Sequence, residues 1–93
     1  MKSLSVWKEH LEHVLVFPFE ATIVGYLDKG PLRPSDKVAV KSISALDDLY
    51  GVIVELRHAR KRYDHPLDDI VVIDEDSPNF QHVDDYSVWM ANR

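Results

Sequence analysis

Carboxylates are the residues of this chain whose number and placement point to chemistry. Asp28 and Asp36 bound a proline-rich stretch, and Asp47 and Asp48 are adjacent. Asp64, Asp68 and Asp69 surround Pro66, Asp74, Glu75 and Asp76 form a run, and Asp84 and Asp85 are adjacent again. A hard cation such as Ca2+ takes about six to eight oxygen ligands from carboxylates, backbone carbonyls and water. These acids fall in turns or at element ends, where carbonyls are free to join them. Inside a helix or strand the carbonyls are committed to hydrogen bonds. Asp is also a favoured turn and cap residue, so a single Asp-Asp pair means little. The set means more, because no Lys or Arg stands between Asp64 and Asn92. Adjacent carboxylates repel, and a counter-ion relieves them.

Charge is distributed unevenly along the 93 residues. The formal net charge is −5. Residues 1–63 hold ten Lys/Arg and eight Asp/Glu, a balance of +2, whereas residues 64–93 hold eight acids and only Arg93, a balance of −7. An acidic half disfavours nucleic acid and favours a cation or a basic partner.

Other constellations are weaker. Asp74, Asp76 and Asp85 match the first, third and last positions of a twelve-residue EF-hand loop. Pro78 and Asn79 then stand where that motif wants an oxygen ligand and glycine. The flanking helices are missing as well, so this is not an EF-hand. His10 and His13 have helical chelate spacing but no HExxH pattern, and they read as exposed bystanders on a polar face. His58, His65 and His82 have no partner that the sequence assigns. The knot Arg57-His58-Ala59-Arg60-Lys61-Arg62-Tyr63 is the one feature that argues for nucleic acid, with phosphate contacts and a stacking Tyr63. Read as a strand, it divides its charges between two faces, and a pI near 5.4 is far from that of a nucleic-acid binder. There is no Cys, no Gly-rich phosphate loop and no G-x-S-x-G elbow, so an enzyme is not expected.

These residues need elements to position them. Trp7, Leu11, Val14 and Leu15 form one apolar stripe, which predicts a helix over about 6–16 with Ser5 as N-cap. Pro18 ends it. Phe19 to Leu27 alternates as a first strand, with Phe19, Ala21 and Ile23 on one face and a bend at Gly25. A loop over 28–36 precedes a second strand, Lys37 to Ile43, with Val38 and Val40 inward. After a turn at 47–51, Val52, Val54 and Leu56 face the core from a third strand. Pro66 marks a turn over 64–69, and Ile70 to Ile73 is a further β-branched run that the turn chemistry pairs with the third strand. Pro78 starts a polar break, and Asp84 or Asp85 caps a closing helix carrying Tyr86, Trp89 and Met90.

The order helix, short strands, helix predicts an α+β fold over a single domain, residues 1–93, with a meander of four or five strands. A small, bent antiparallel sheet of SH3-like barrel type between an N-terminal and a C-terminal helix is the expected architecture. No apolar run approaches the roughly 20 residues that span a bilayer, and the start of the chain is not a signal peptide. A soluble, cytoplasmic monomer is expected, with no membrane contact.

The quoted pieces also form a familiar series. Trp7-Lys8-Glu9 leads to Phe17-Pro18-Phe19-Glu20-Ala21, followed by Asp36-Lys37-Val38 and Tyr50-Gly51-Val52. Pro66-Leu67-Asp68-Asp69 comes next, and Asp85-Tyr86-Ser87-Val88-Trp89 with Ala91-Asn92-Arg93 closes the chain. Together they resemble the small acidic calcium-binding family named CcbP over nearly the whole length. The resemblance implies a non-enzymatic Ca2+-binding protein, a buffer or sensor, whose ligands are surface acids outside an EF-hand. Carried onto this sequence, it puts Asp36, Asp68 and Asp69 first as metal ligands, then Asp47 with Asp48 and Asp74 with Asp76. The rival expectation is an SH3-like interaction module that holds a protein or RNA partner through the basic strand 57–62.

Overall fold

In the computed structural model, residues 3–25 and 32–93 are described. The first helix, α1 (Leu4–Val14), starts two residues earlier than its apolar stripe predicts. Its N-cap is Ser3, whose hydroxyl accepts from the Val6 N–H. Trp7 and Leu11 are buried along the helix, and Leu15 is buried at its C-cap, as the stripe requires. The second helix, α2 (Pro78–Asn92), begins well before Asp84. Ser77 is its N-cap and Pro78 its first residue, so the proline that reads as a break is a start signal. The Pro ring fixes φ for the first turn and gives up an N–H that has no helical partner there.

Among the described residues, five strands lie between the helices: β1 (Phe19–Ile23), β2 (Lys37–Asp47), β3 (Gly51–His58), β4 (Lys61–Pro66) and β5 (Ile70–Val72). A one-turn 3-10 helix, η1 (Leu67–Asp69), joins β4 to β5. All neighbours are antiparallel, in the order β4-β3-β2-β1-β5. The α+β class therefore holds. The sheet does not close: β4 and β5 are its two edges, so the barrel type is not borne out. The β2–β3 pair has irregular registers at Val40/Ser42 and Ile43/Ala45, the kind of interruption that kinks a strand locally. Asp28 and the end of the expected first strand, residues 26–27, lie outside the described residues.

Two expectations for the second half are corrected. The run Ile70–Val72 pairs with β1, through Ala21↔Val72 and Ile23↔Ile70, and not with the third strand. The third strand pairs instead with the segment that follows the basic knot. Ala59 and Arg60 form the two-residue tip of that hairpin, with φ of 51° and 67°. Positive φ at both central residues is the type I′ geometry whose twist suits a two-residue hairpin. Strand alternation through the knot therefore fails at the tip, and Arg57 comes to face Arg62 across the strands.

The core is built from the inward face of the sheet and the buried stripes of both helices. Val52, Val54 and Leu56 of β3 are fully buried, with Val38 and Val40 of β2 and Ala21 and Ile23 of β1 beside them. Leu11 of α1 and Val83 and Tyr86 of α2 cover that face. Burying a Leu or Val side chain contributes roughly 1.5–3 kcal/mol, so the sheet face and the helix stripes stabilise each other. Asn79 ties the helices together. Its side chain accepts from the Val16 N–H and donates to the Val16 carbonyl, both at 2.9 Å.

Candidate metal site

The expected ligands are spread around the molecule. The Asp36 carboxylate accepts from the Arg33 N–H at 2.9 Å and lies 3.7 Å from the His58 ring nitrogen. Asp47 closes the β2–β3 turn, where its Oδ1 accepts from the N–H groups of Leu49 and Tyr50 at 2.8 Å each. Those two donors favour the anion and hold the carboxyl below its usual value. Asp48 is exposed, and its carbonyl accepts from Arg93 at 3.0 Å. Asp74 accepts from the Asp76 N–H at 3.0 Å in the turn before α2, and Asp76 is exposed.

Asp68 and Asp69 are neighbours that turn different ways. Asp69 is buried and meets the buried His65 ring at 2.5 Å, while its carbonyl accepts from the Val24 N–H at 2.9 Å. It joins the end of β4 to the end of β1. Asp68 is only partly covered and lines a groove of about 200 Å³ between η1, β5 and α2. Desolvation raises its pKa, and the neighbouring Asp69 adds to that, while His65 and Arg93 oppose it.

Phe80, Asp84 and Ser87 of α2 line this groove, together with Val24 and with Ile70 and Val71 of β5. Asp84 reads from the sequence as a candidate helix cap. Starting α2 at Pro78 instead places it one turn after Phe80 and three residues before Ser87, on a single face. The Ser77-Pro78 start signal was the clue that would have found it. Asp74 lines a different, more open groove with Glu20 and Ser77. Glu20 there is paired with Lys37 at 3.3 Å.

Among the described residues, no three His, Asp or Glu side chains come together in a way that holds a metal ion. Among the described residues, a bound ion would therefore meet at most two carboxylates in any one place, with hydroxyl, carbonyl and water oxygens completing its shell. Asp68, Asp84 and Ser87, the acidic and hydroxyl side chains along the otherwise apolar lining of the groove, form a donor set without nitrogen or sulfur. It fits a hard cation such as Ca2+, which accepts irregular oxygen shells, and does not fit a metal that prefers nitrogen or sulfur.

A calcium-binding family model, that of CcbP, matches residues 2–90. The chain belongs to the CcbP calcium-binding family. This is a family of Ca2+-binding proteins, not of enzymes. The crystal structure of CcbP from Anabaena is similar to this chain with a TM-score of 0.75 at 24% identity, covering 95% of this chain and 73% of that one. At that identity the likeness shows a shared fold. No curated protein matches the sequence. None of the described helices is long and apolar enough to cross a membrane.

Two arginines of the basic knot, Arg57 and Arg62, are paired with acids of their own hairpin. Arg62 Nε lies 2.8 Å from one Glu55 oxygen, Arg57 Nε lies 3.7 Å from the other, and Arg62 also meets Asp64 at 3.6 Å. Glu55 thus sits between two arginines that would otherwise repel across the strands.

Proposed function

We propose that this CcbP-family chain binds Ca2+ in the groove between η1 and α2, with Asp68 and Asp84 as its two carboxylates and Ser87 as a further oxygen. The observation that carries the reading is that two acids 16 positions apart in sequence line one groove together with the Ser87 hydroxyl. The other acids fall in separate turns, and Asp69 is held by His65. Asp36, Asp47, Asp48, Asp74 and Asp76 then act at longer range, adding to the net negative field that draws cations to the molecule.

Two protein carboxylates and a mostly aqueous shell give modest affinity, in keeping with a Ca2+ buffer or a low-affinity sensor more than a tight structural site. The interaction-module reading has no comparable support, since Arg57 and Arg62 are engaged with Glu55. An amide NMR titration with Ca2+, controlled with Mg2+ and with salt, tests the proposal. Saturable, Ca2+-selective shifts at residues 68–71 and 84–87 are expected. Shifts centred on 36, 47–48 or 74–76 would move the site. Diffuse shifts that salt reproduces would remove it.

A further inference from the structure

Neither His10 nor His82 lines the acidic groove, and the structure gives these two histidines a shared position. His10 on α1 and His82 on α2 face each other with ring centroids 5.7 Å apart and planes at 81°. Each is partly exposed, so a hydrated ion can reach the ring edges. Each is also flanked on its own helix by residues that fix the backbone. Trp7 and Leu11 are buried on one side, and Val83 and Tyr86 on the other. Trp7 packs edge-on against the His10 ring at 6.0 Å and against Tyr86 at 5.5 Å, so the seam between the helices is a packed aromatic cluster.

We propose that His10 and His82 form a two-imidazole clamp for a borderline transition-metal ion, of the Zn2+ or Cu2+ class, at the α1–α2 seam. Imidazole nitrogens bind such ions at about 2.0–2.1 Å, and two rings sharing one ion in a roughly tetrahedral shell then have centroids about 5–6 Å apart. The observed spacing already lies in that range. The edge-to-face arrangement leaves one ring to turn about χ2, a torsion with broad wells in histidine. Among the described residues, no third His, Asp or Glu completes the set, so water fills the remaining positions. Nitrogen ligands and this geometry separate the clamp from the oxygen-only groove, and Ca2+ is not expected to bind there. His13, three residues along α1, is exposed and takes no part.

The test is a Zn2+ titration of the intact chain and of His10→Gln, His82→Gln and His13→Gln, read by calorimetry and thermal melting. The unmodified protein should bind about one Zn2+ with a rise in Tm. Each of the first two variants should lose at least about tenfold in affinity together with that rise, while His13→Gln keeps both. A trace of Cu2+ added to the unmodified protein should broaden amides around residues 10 and 82 first, which decides the matter even if a variant folds poorly. Broadening centred on His13, His58 or the acidic turns would overturn the clamp. So would Zn2+ affinity that survives either of the two substitutions.

Discussion

The Tyr86 hydroxyl accepts a hydrogen bond at 2.8 Å from the backbone N–H of Val52, across 34 residues of sequence. The side chain is fully buried, so this bond satisfies a strand donor that no water reaches. It also fixes α2 against the first residues of β3. Tyr86→Phe should therefore cost about 1–3 kcal/mol, the penalty for a buried N–H left without a partner. Chemical denaturation with an unchanged m-value would check it, and a loss below about 0.5 kcal/mol would mean that the donor finds another acceptor.

The same residue sets an alkaline limit. Burial pushes the Tyr86 phenol up to about 12 from its ordinary 10. The native state therefore holds the proton more tightly than the unfolded chain. The contribution is fully present below about pH 10 and is lost as pH rises through the folded value. Stability should fall along that window, and Tyr86→Phe should flatten the fall. Urea midpoints measured from pH 9 to 12 would show it.

Gly51 stands beside this contact with φ of 78°, and a Cβ there would overlap the Tyr86 hydroxyl and press on Met90. Gly51→Ala should destabilise by about 1–3 kcal/mol, from the left-handed backbone and the displaced ring together. Paired with Tyr86→Phe it should cost less than the sum, because the missing hydroxyl makes room.

Asp68 links stability to the ion. Its pKa is raised mainly by desolvation, so its favourable contribution is complete below its ordinary value near 3.8 and disappears as pH rises through the folded value. At neutral pH the charged form is a small liability. Asp68→Asn should leave the ion-free protein equally or more stable, yet weaken Ca2+ binding by about tenfold. Melting with and without excess Ca2+ should reverse the ranking of the two proteins, since a ligand that binds only the native state raises Tm.

The hairpin tip is open to improvement. Ala59 and Arg60 occupy the left-handed region without being glycine or asparagine. Replacing them with Asn-Gly should stabilise the fold by about 1–2 kcal/mol, because that pair adopts the type I′ turn with little strain. Glu55→Gln should do the opposite by about 0.5–1 kcal/mol, leaving Arg57 facing Arg62. Added salt should shrink the second effect and not the first.

The sequence by itself determined which residues turn inward. The alternation of Val52, Val54 and Leu56 and the spacing of Trp7 and Leu11 are short-range periodicities. They report the buried face of a strand or helix wherever it packs, and all five residues are buried. The acidic half and the family pattern were equally visible, because composition and local motifs do not depend on the fold. What the tertiary structure alone decided is which faces and edges meet. It moved Ile70–Val72 from β3 to the far edge beside β1, brought Asp84 to the groove of Asp68 and set His10 against His82. It also separated Asp69 from Asp68, one turned to His65 and the other to the groove. Such encounters depend on sheet order and on how the helices lie across it. Those are set by the packing of the whole core, and no window of a few residues contains them.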